Sequence, residues 1–353
     1  MNDKRYAIVR LSSIGDVLHC TPVARNLKQH QPSCHITWVV GQVSAEMVKD
    51  NPFIDEVYIW PRERWEKCMR QGKLREAWSI WQQLKSDMAQ KHFDIALDIH
   101  GLFLSGMVTK ALGAPRRIGL SGNKEPNGLF MTEKAPLMPD DVHVIQRYLS
   151  ILRPLGIDTQ DYSMTLCLLD KYKAFAKAFL HEQGVSEKER LIILNPATTW
   201  RAKNWPPEYF AEVADALSSE GRIVICGGPA DQGIAQQIIE LTTAPIINAV
   251  GKTSLMEMAA LLERASVVIV GDTGPLHMAV AIGTPTVSIF GPTDPARFGP
   301  LTPGHIVLTG QAECSPCHKT VCPKKDMRCM HSIKPDVVIK AAYQQLQSNK
   351  IRI

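Results

Sequence analysis

Four of the five stretches of this 353-residue chain that could do chemistry follow an apolar run rich in β-branched residues. The first, Ser12-Ser13-Ile14-Gly15-Asp16, puts two hydroxyls, a glycine and a carboxylate at a strand-to-helix junction, where unpaired backbone N–H groups gather. A carboxylate there can act as general base toward a bound hydroxyl, or Ser13 and Asp16 can do no more than cap the helix. The second stretch, 195–206, carries Thr198, Thr199, Arg201 and Lys203. Hydroxyl donors and cations suit the oxygens of a diphosphate, while the plainer reading is a solvated loop with a Trp205-Pro206 helix start. The third, Gly271-Asp272-Thr273-Gly274-Pro275-Leu276-His277, turns sharply into an Ala-rich helix. Its free N–H groups and Asp272 could meet a phosphate and sugar hydroxyls; capping, and a core role for His277, are the alternatives. The fourth, Gly291-Pro292-Thr293-Asp294-Pro295, is by itself a turn signal. The fifth, Cys314, Cys317, Cys322 and Cys329, sets four sulfurs within sixteen positions. They could wrap a structural Zn or Fe ion, although only the first pair has C-x-x-C spacing, or remain reduced thiols or a labile disulfide.

Positioning these groups takes alternating strands and helices. Residues 6–10, 35–40 and 94–99 read as strands and 17–29 as a helix; from residue 191 the pattern restarts, with strands at 192–194, 222–226, 267–270 and 286–290. Such alternation implies an α/β protein of two doubly wound parallel sheets, whose ligands gather at the carboxyl ends of the strands. Helix-like stretches at 142–155 and 171–183, closed by Gly156 and Gly184, put the boundary between them. The expected domains are 1–165 and 166–334, with a final helix in 335–353 that could pack back on the first domain.

The composition, 45% hydrophobic and 21% charged, excludes disorder and fibrous repeats. A net charge of +5 spread along the chain does not form the basic tail or stripe of a nucleic-acid-binding protein. The N-terminal apolar run of about six residues is far short of a membrane span and lacks a cleavage site, so a soluble cytoplasmic protein is expected. Nine cysteines, an odd number, argue against a secreted disulfide framework. No G-x-G-x-x-G follows a strand, which disfavours a dinucleotide oxidoreductase. A non-catalytic metal knuckle would leave the polar strand-end loops without a role.

In order along the chain these segments resemble the glycosyltransferase family 9 heptosyltransferases of lipopolysaccharide core synthesis. The resemblance rests on residues 10–16 with Pro22; Asp98-Ile99-His100-Gly101-Leu102 with Ser105; Arg117-Ile118-Gly119; His143 with Arg147-Tyr148-Leu149; Ala197-Thr198-Thr199 with Lys203-Asn204-Trp205-Pro206; Gly251-Lys252-Thr253-Ser254-Leu255; residues 272–277; and residues 290–295. It implies a GT-B architecture, two Rossmann-like domains facing across a cleft, the first holding the acceptor and the second the nucleotide sugar. It implies Asp16 as the catalytic base, with Ser12, Ser13 and His100 on the acceptor. Lys203 would act in catalysis on the diphosphate, with Thr198 and Thr199, while Thr253, Asp272, Thr273, Gly274 and His277 complete the donor site. Where the family often has an acidic residue just after the Gly227-Gly228 turn to hold ribose, this chain offers Asp231 and Gln232.

The implied reaction is an inverting transfer of heptose from ADP-L-glycero-D-manno-heptose to a Kdo- or heptose-bearing lipid A acceptor. No Asp-x-Asp occurs anywhere in the chain, so no catalytic cofactor is expected, and the leaving charge falls to Lys203 and helix N-termini instead of Mg²⁺. The alternative is a GT-B transferase using another nucleotide sugar or a protein acceptor. A lipid-borne acceptor makes the cytoplasmic face of the inner membrane a peripheral partner. Arg62, Arg64, Lys67, Arg70, Lys73 and Arg75 are candidates for that contact, or form a solvated face with Glu63, Glu66 and Glu76. No nucleic-acid partner is expected.

Overall fold

The β-branched runs become strands buried on both faces, as a parallel sheet covered by helices requires. A computed structural model describes residues 3–122 and 125–348, and the chain divides into two units between Cys167 and Leu168. The first unit contains β1 (Arg5–Val9), β2 (His35–Gly41), β3 (Glu56–Trp60), β4 (Ile95–Asp98), β5 (Arg116–Leu120) and β6 (Glu133–Ala135). Its helices are α1 (Ile14–His30), α2 (Arg62–Arg70), α3 (Leu74–Ala89), α4 (Phe103–Ala111) and α5 (Val144–Leu149). The second unit contains β7 (Leu191–Asn195), β8 (Arg222–Ile225), β9 (Ile246–Asn248), β10 (Val267–Gly271), β11 (Thr286–Phe290) and β12 (His305–Thr309). Its helices are α6 (Asp170–Glu182), α7 (Pro207–Leu217), α8 (Gln232–Leu241), α9 (Leu255–Arg264), α10 (Gly274–Ala281), α11 (Pro295–Phe298), α12 (Arg328–His331) and α13 (Pro335–Ser348).

Both sheets are parallel throughout and share one strand order. The first runs β3-β2-β1-β4-β5-β6, and the second, β12-β11-β10-β7-β8-β9, is the same arrangement counted from its own first strand, β7. In each, the order reverses beside the first strand, between β1 and β4 and between β7 and β10. A crevice opens at such a reversal because the flanking connections leave toward opposite faces, which makes it the place for a ligand.

In the first unit Ala7, Val9, Val39, Trp60, Leu84 and Ala96 form one core under α3, and Trp60, Trp65 and Trp81 stack edge-on and tilted at its margin. In the second, Trp205 is buried and donates from Nε1 to the Ile333 carbonyl at 2.9 Å, pinning the 197–205 loop to the segment before the last helix.

That last helix corrects an expectation. α13 does not turn its buried face to the first unit: Val338, Ala341, Ala342 and Leu346 join the core of the second, with Val213, Leu217 and Val287. Gln345 fixes it by donating to the carbonyls of Thr286 and Gly304, each at 3.1 Å. These apolar positions recur at helical spacing, and the face of the sheet beside α7 supplies the apolar surface they need. Residues 349–353 lie outside the described residues. Among those described, no helix is long and apolar enough to cross a membrane.

Candidate active site

At the switch point of the first sheet, α1 opens with Asp16 in its first turn. Its carboxylate lies 2.8 Å from the Arg10 guanidinium, accepts from the Ser13 hydroxyl at 2.9 Å and from the Tyr148 hydroxyl at 3.0 Å. Ser13 is the N-cap residue, but its side chain makes no capping bond; its hydroxyl is spent on Asp16. Burial acts to raise the Asp16 pKa, and Arg10, Ser13 and Tyr148 together outweigh it, holding the carboxyl below its ordinary range. With 34% of its side chain exposed, Asp16 is both ionised and reachable by a hydroxyl from solvent.

Arg10, only 7% exposed, lies 5.1 Å from the Tyr148 ring centroid and donates to the Ile99 carbonyl at 3.3 Å, so the ends of β1, β4 and α5 meet on one guanidinium. His100 follows β4 and accepts the Leu11 N–H on Nδ1 at 3.0 Å. Burial, with Arg10 and Arg62 nearby, pushes its pKa down to about 3. The ring is therefore neutral with its proton on Nε2. Beneath it, the buried Asp98 carboxylate accepts from the His100 and Gly101 N–H groups, from Ser105 and from Asn127, all at 3.1 Å, which fixes the loop. Ser12 completes the cluster by accepting from Arg62. Ser12, Ser13, Asp16 and His100 thus lie in one neighbourhood at the ends of β1 and β4. Arg10 and Tyr148 lay within those motifs without an assigned role; the only signal in the sequence was their polarity beside apolar runs.

At the second switch point, Lys203 and Asp272 meet. Lys203 Nζ lies 2.6 Å from Asp272 Oδ2 and 3.1 Å from the Asp272 carbonyl, with the Trp200 ring centroid 4.3 Å away. Thr293 donates to the same carboxylate at 2.7 Å, and His277 Nε2 stands 3.6 Å from its other oxygen. Burial would raise the Asp272 pKa, but His277 and Lys203 reverse the sign and keep it far below the ordinary carboxylate range. The β7 and β10 loops approach closely because position 271 is glycine: a Cβ there would stand 3.0 Å from Thr198 Cγ2.

The threonines divide. The Thr198 hydroxyl is turned onto the Trp200 carbonyl at 2.7 Å and the Asn204 side chain at 2.9 Å, so it holds the loop; Thr199 is exposed. Thr273 caps α10 without a side-chain bond, and Gly274 and Pro275 begin the helix. Thr253 precedes the Ser254/Glu257 capping box of α9, in the loop after β9. Asp231 spends one carboxylate oxygen on the Gly228 N–H at 2.8 Å, and Gln232 donates to the Val250 carbonyl at 2.6 Å, so both brace the loops after β8 and β9. Thr293, bonded to Asp272, is a residue of this cluster that had no assigned role.

The cysteine segment laces onto the loops after β7 and β11. Ser315 Oγ donates to the Gly291 carbonyl at 2.5 Å, the His318 N–H to the Pro292 carbonyl at 2.8 Å, and the Ala202 N–H to the Thr320 carbonyl at 3.1 Å. The thiols share a neighbourhood: burial raises the Cys329 pKa, and Cys317, Cys314 and Cys322 add to it. All four are free thiols, and among the described residues no three His, Cys, Asp or Glu side chains converge as a metal-binding group. The expected Zn or Fe site therefore has no assembled ligand set. Left-handed backbone at His318, Lys325 and Met327 directs this loop, and cysteine spacing alone could not foretell that path.

Two sheets of one strand order, each with a polar cluster at its switch point, form the GT-B class of glycosyltransferases. The description "Glycosyltransferase family 9 (heptosyltransferase)" matches residues 77–328, and the chain belongs to that family. It is 28% identical over 338 residues to lipopolysaccharide heptosyltransferase 1 of Pseudomonas aeruginosa, covering 94% of this chain and 91% of that one. It is 26% identical over 280 residues to the lipopolysaccharide core heptosyltransferase OpsX of Haemophilus influenzae, covering 77% and 74%. The crystal structure of a family 9 glycosyl transferase from Veillonella parvula superposes with a TM-score of 0.86 at 26% identity, covering 99% of each chain.

Proposed function

We propose that this enzyme transfers heptose from ADP-L-glycero-D-manno-heptose to the inner core of lipopolysaccharide, inverting the anomeric centre without a divalent ion. The observation that carries the reading is the Lys203–Asp272 pair at the second switch point. A cation for a diphosphate and a carboxylate for sugar hydroxyls stand side by side there, at the foot of α10. The heptosyltransferase identity of the relatives supports heptose, and their lipopolysaccharide substrates support the acceptor.

In this reaction Asp16 takes the proton of the acceptor hydroxyl as its oxygen attacks the anomeric carbon, and the ADP oxygen departs from the opposite side. Lys203, Thr199 and the N–H groups at Thr273 and Gly274 balance the charge that collects on the diphosphate. Arg10 and Tyr148 hold the base in place, and the neutral His100 offers Nε2–H to an acceptor oxygen. A lipid-borne acceptor brings the enzyme to the membrane surface as a peripheral partner. The cysteine segment enters no step.

Isothermal titration without divalent metal, against ADP-heptose, ADP, UDP and GDP, tests the donor. Selective binding of ADP and ADP-heptose that weakens in Lys203→Ala is expected. Preference for UDP or GDP would overturn the donor assignment, and no nucleotide binding would overturn the transferase reading of the second switch point.

A further inference from the structure

The α2–α3 hairpin presents an apolar tip ringed by cations. Leu74 and Trp78, one helical turn apart on α3, are 62% and 63% exposed, and Met69 near the end of α2 is 44% exposed. The other aromatic rings of the hairpin, Trp65 and Trp81, are partly buried against the core, so the exposure of Trp78 is a property of this face. Trp60 is fully buried against Trp65 and Trp81.

Charge separates across the hairpin. Glu66 pairs with Arg62 at 2.6 Å, Glu76 faces the Cys68 thiol at 3.7 Å, and Glu63 reaches in beside Gly41, where a Cβ would stand 3.2 Å from its Oε1. Lys67, Arg70, Lys73 and Arg75 are all exposed and make no ion pair among the described residues. Glu66 is thus paired with Arg62 and Glu76 turned to Cys68, with Glu63 and Glu76 still exposed, while the cations around Met69, Leu74 and Trp78 are left to solvent without an ion pair among the described residues. Apolar and aromatic side chains flanked by free Lys and Arg fit the interfacial zone of an anionic bilayer: the apolar groups enter the acyl boundary while the cations meet phosphates.

The root of the hairpin touches the acceptor-side cluster, through Arg62 donating to Ser12. Nine residues of α2, rising about 1.5 Å each, carry the chain about 12 Å from Arg62 to Arg70. We propose that this hairpin tip docks the enzyme on an anionic lipid surface, with Trp78 and Leu74 as the inserted groups and Lys67, Arg70, Lys73 and Arg75 as the headgroup contacts. The proposal rests on the reading that the acceptor is lipid-borne, and it gives that acceptor a geometry: a headgroup-level sugar within reach of Asp16 while the tip sits in the interface.

Flotation of the full chain with phosphatidylcholine vesicles, with and without phosphatidylglycerol, tests it. The wild type is expected to float with the anionic vesicles, less so in high salt, and not with the neutral ones. Lys73→Glu/Arg75→Glu and, separately, Leu74→Ser/Trp78→Ser are each expected to weaken binding by roughly tenfold. Turnover of a delipidated, soluble core acceptor by both variants is expected to match the wild type. A wild type that does not float, or variants that float as it does, would overturn the proposal; so would variants that convert a dimer to a monomer while flotation is unchanged, which would make the face a contact between copies. Failure of the wild type to use any soluble acceptor would instead sink the transferase reading, and flotation would still decide the docking surface.

Discussion

Asp16 keeps its carboxylate within 2.8 Å of the Arg10 guanidinium, and Arg10 in turn lies 5.1 Å from the ring of Tyr148, the third partner of that carboxylate. The carboxylate we propose as the base is thus held as an anion by a buried cation. Burial works the other way, so removing Arg10 lets burial raise the Asp16 pKa. In Arg10→Met the acid limb of the kcat/KM profile should move to higher pH, because protonated Asp16 cannot act as base and now persists to higher pH. Asp16→Asn, by contrast, should lower kcat by about a hundredfold or more at every pH, with the donor KM little changed. An acid limb in Arg10→Met that coincides with the wild type would show that Arg10 does not set it.

Lys203→Ala should weaken ADP-heptose binding at least tenfold, because a charge-assisted contact to the diphosphate is worth about 1.5–3 kcal/mol. It also strands the Asp272 carboxylate, 6% exposed, with only Thr293 and His277. A loss of about 2 kcal/mol in stability is expected, below the usual cost of breaking a buried pair because two partners remain. Asp272 has a depressed pKa, so its contribution is present above the ordinary carboxylate pKa and lost as pH falls through the folded value. The stability gap between wild type and variant should therefore be widest at neutral pH and narrow toward acid, as thermal melts across a pH series would record. A gap that widened toward acid would contradict the assignment.

His100 should remain neutral through the pH range of any practical assay, since burial and two neighbouring guanidiniums push its pKa down to about 3. Imidazole nitrogen shifts by NMR should show Nε2 protonated and Nδ1 accepting, as the Leu11 N–H contact requires, with no titration near neutrality. Titration of that ring between mildly acidic and neutral pH would show that it is not enclosed as described.

Gly310→Ala should damage the second unit although Gly310 bonds to none of Lys203, Asp272, His277 and Thr293. A Cβ there would stand 1.7 Å from the Cys329 carbonyl oxygen, a clash with main chain that no rotamer change relieves. A loss of about 3 kcal/mol, or a fall in Tm of about 6–12 °C, is expected in calorimetry.

The architecture was legible because each of the long apolar runs is a strand buried on both faces, and each ends in polar residues that a turn does not need. Residues 6–10 and 267–270 could be read this way; β3, β5, β6, β9 and β12 were not, being short or partly exposed segments with no clear alternation. The cluster around Asp16 was legible as far as local order reaches. Asp16 and Ser13 sit three residues apart, whereas Tyr148 joins them across 132 positions, by packing that no spacing encodes. The same limit explains α13, whose apolar face was visible but whose partner depends on which sheet face the chain path leaves uncovered. It explains the cysteines too, since C-x-x-C spacing brings two sulfurs near and says nothing of where the other two point.

The identical strand order of the two sheets has a consequence for how such an enzyme changes over time. Arg10, Asp16 and Tyr148 bond to one another within the first sheet's unit, where His100 is tied to the Leu11 N–H, and Lys203, His277 and Thr293 gather on Asp272 within the second's. Under the roles proposed for the two clusters, substitutions around β1 and β4 would retune which hydroxyl is glycosylated while the Lys203–Asp272 pair is inherited intact. Acceptor choice and donor choice would then be separately heritable traits, carried by two copies of one topology.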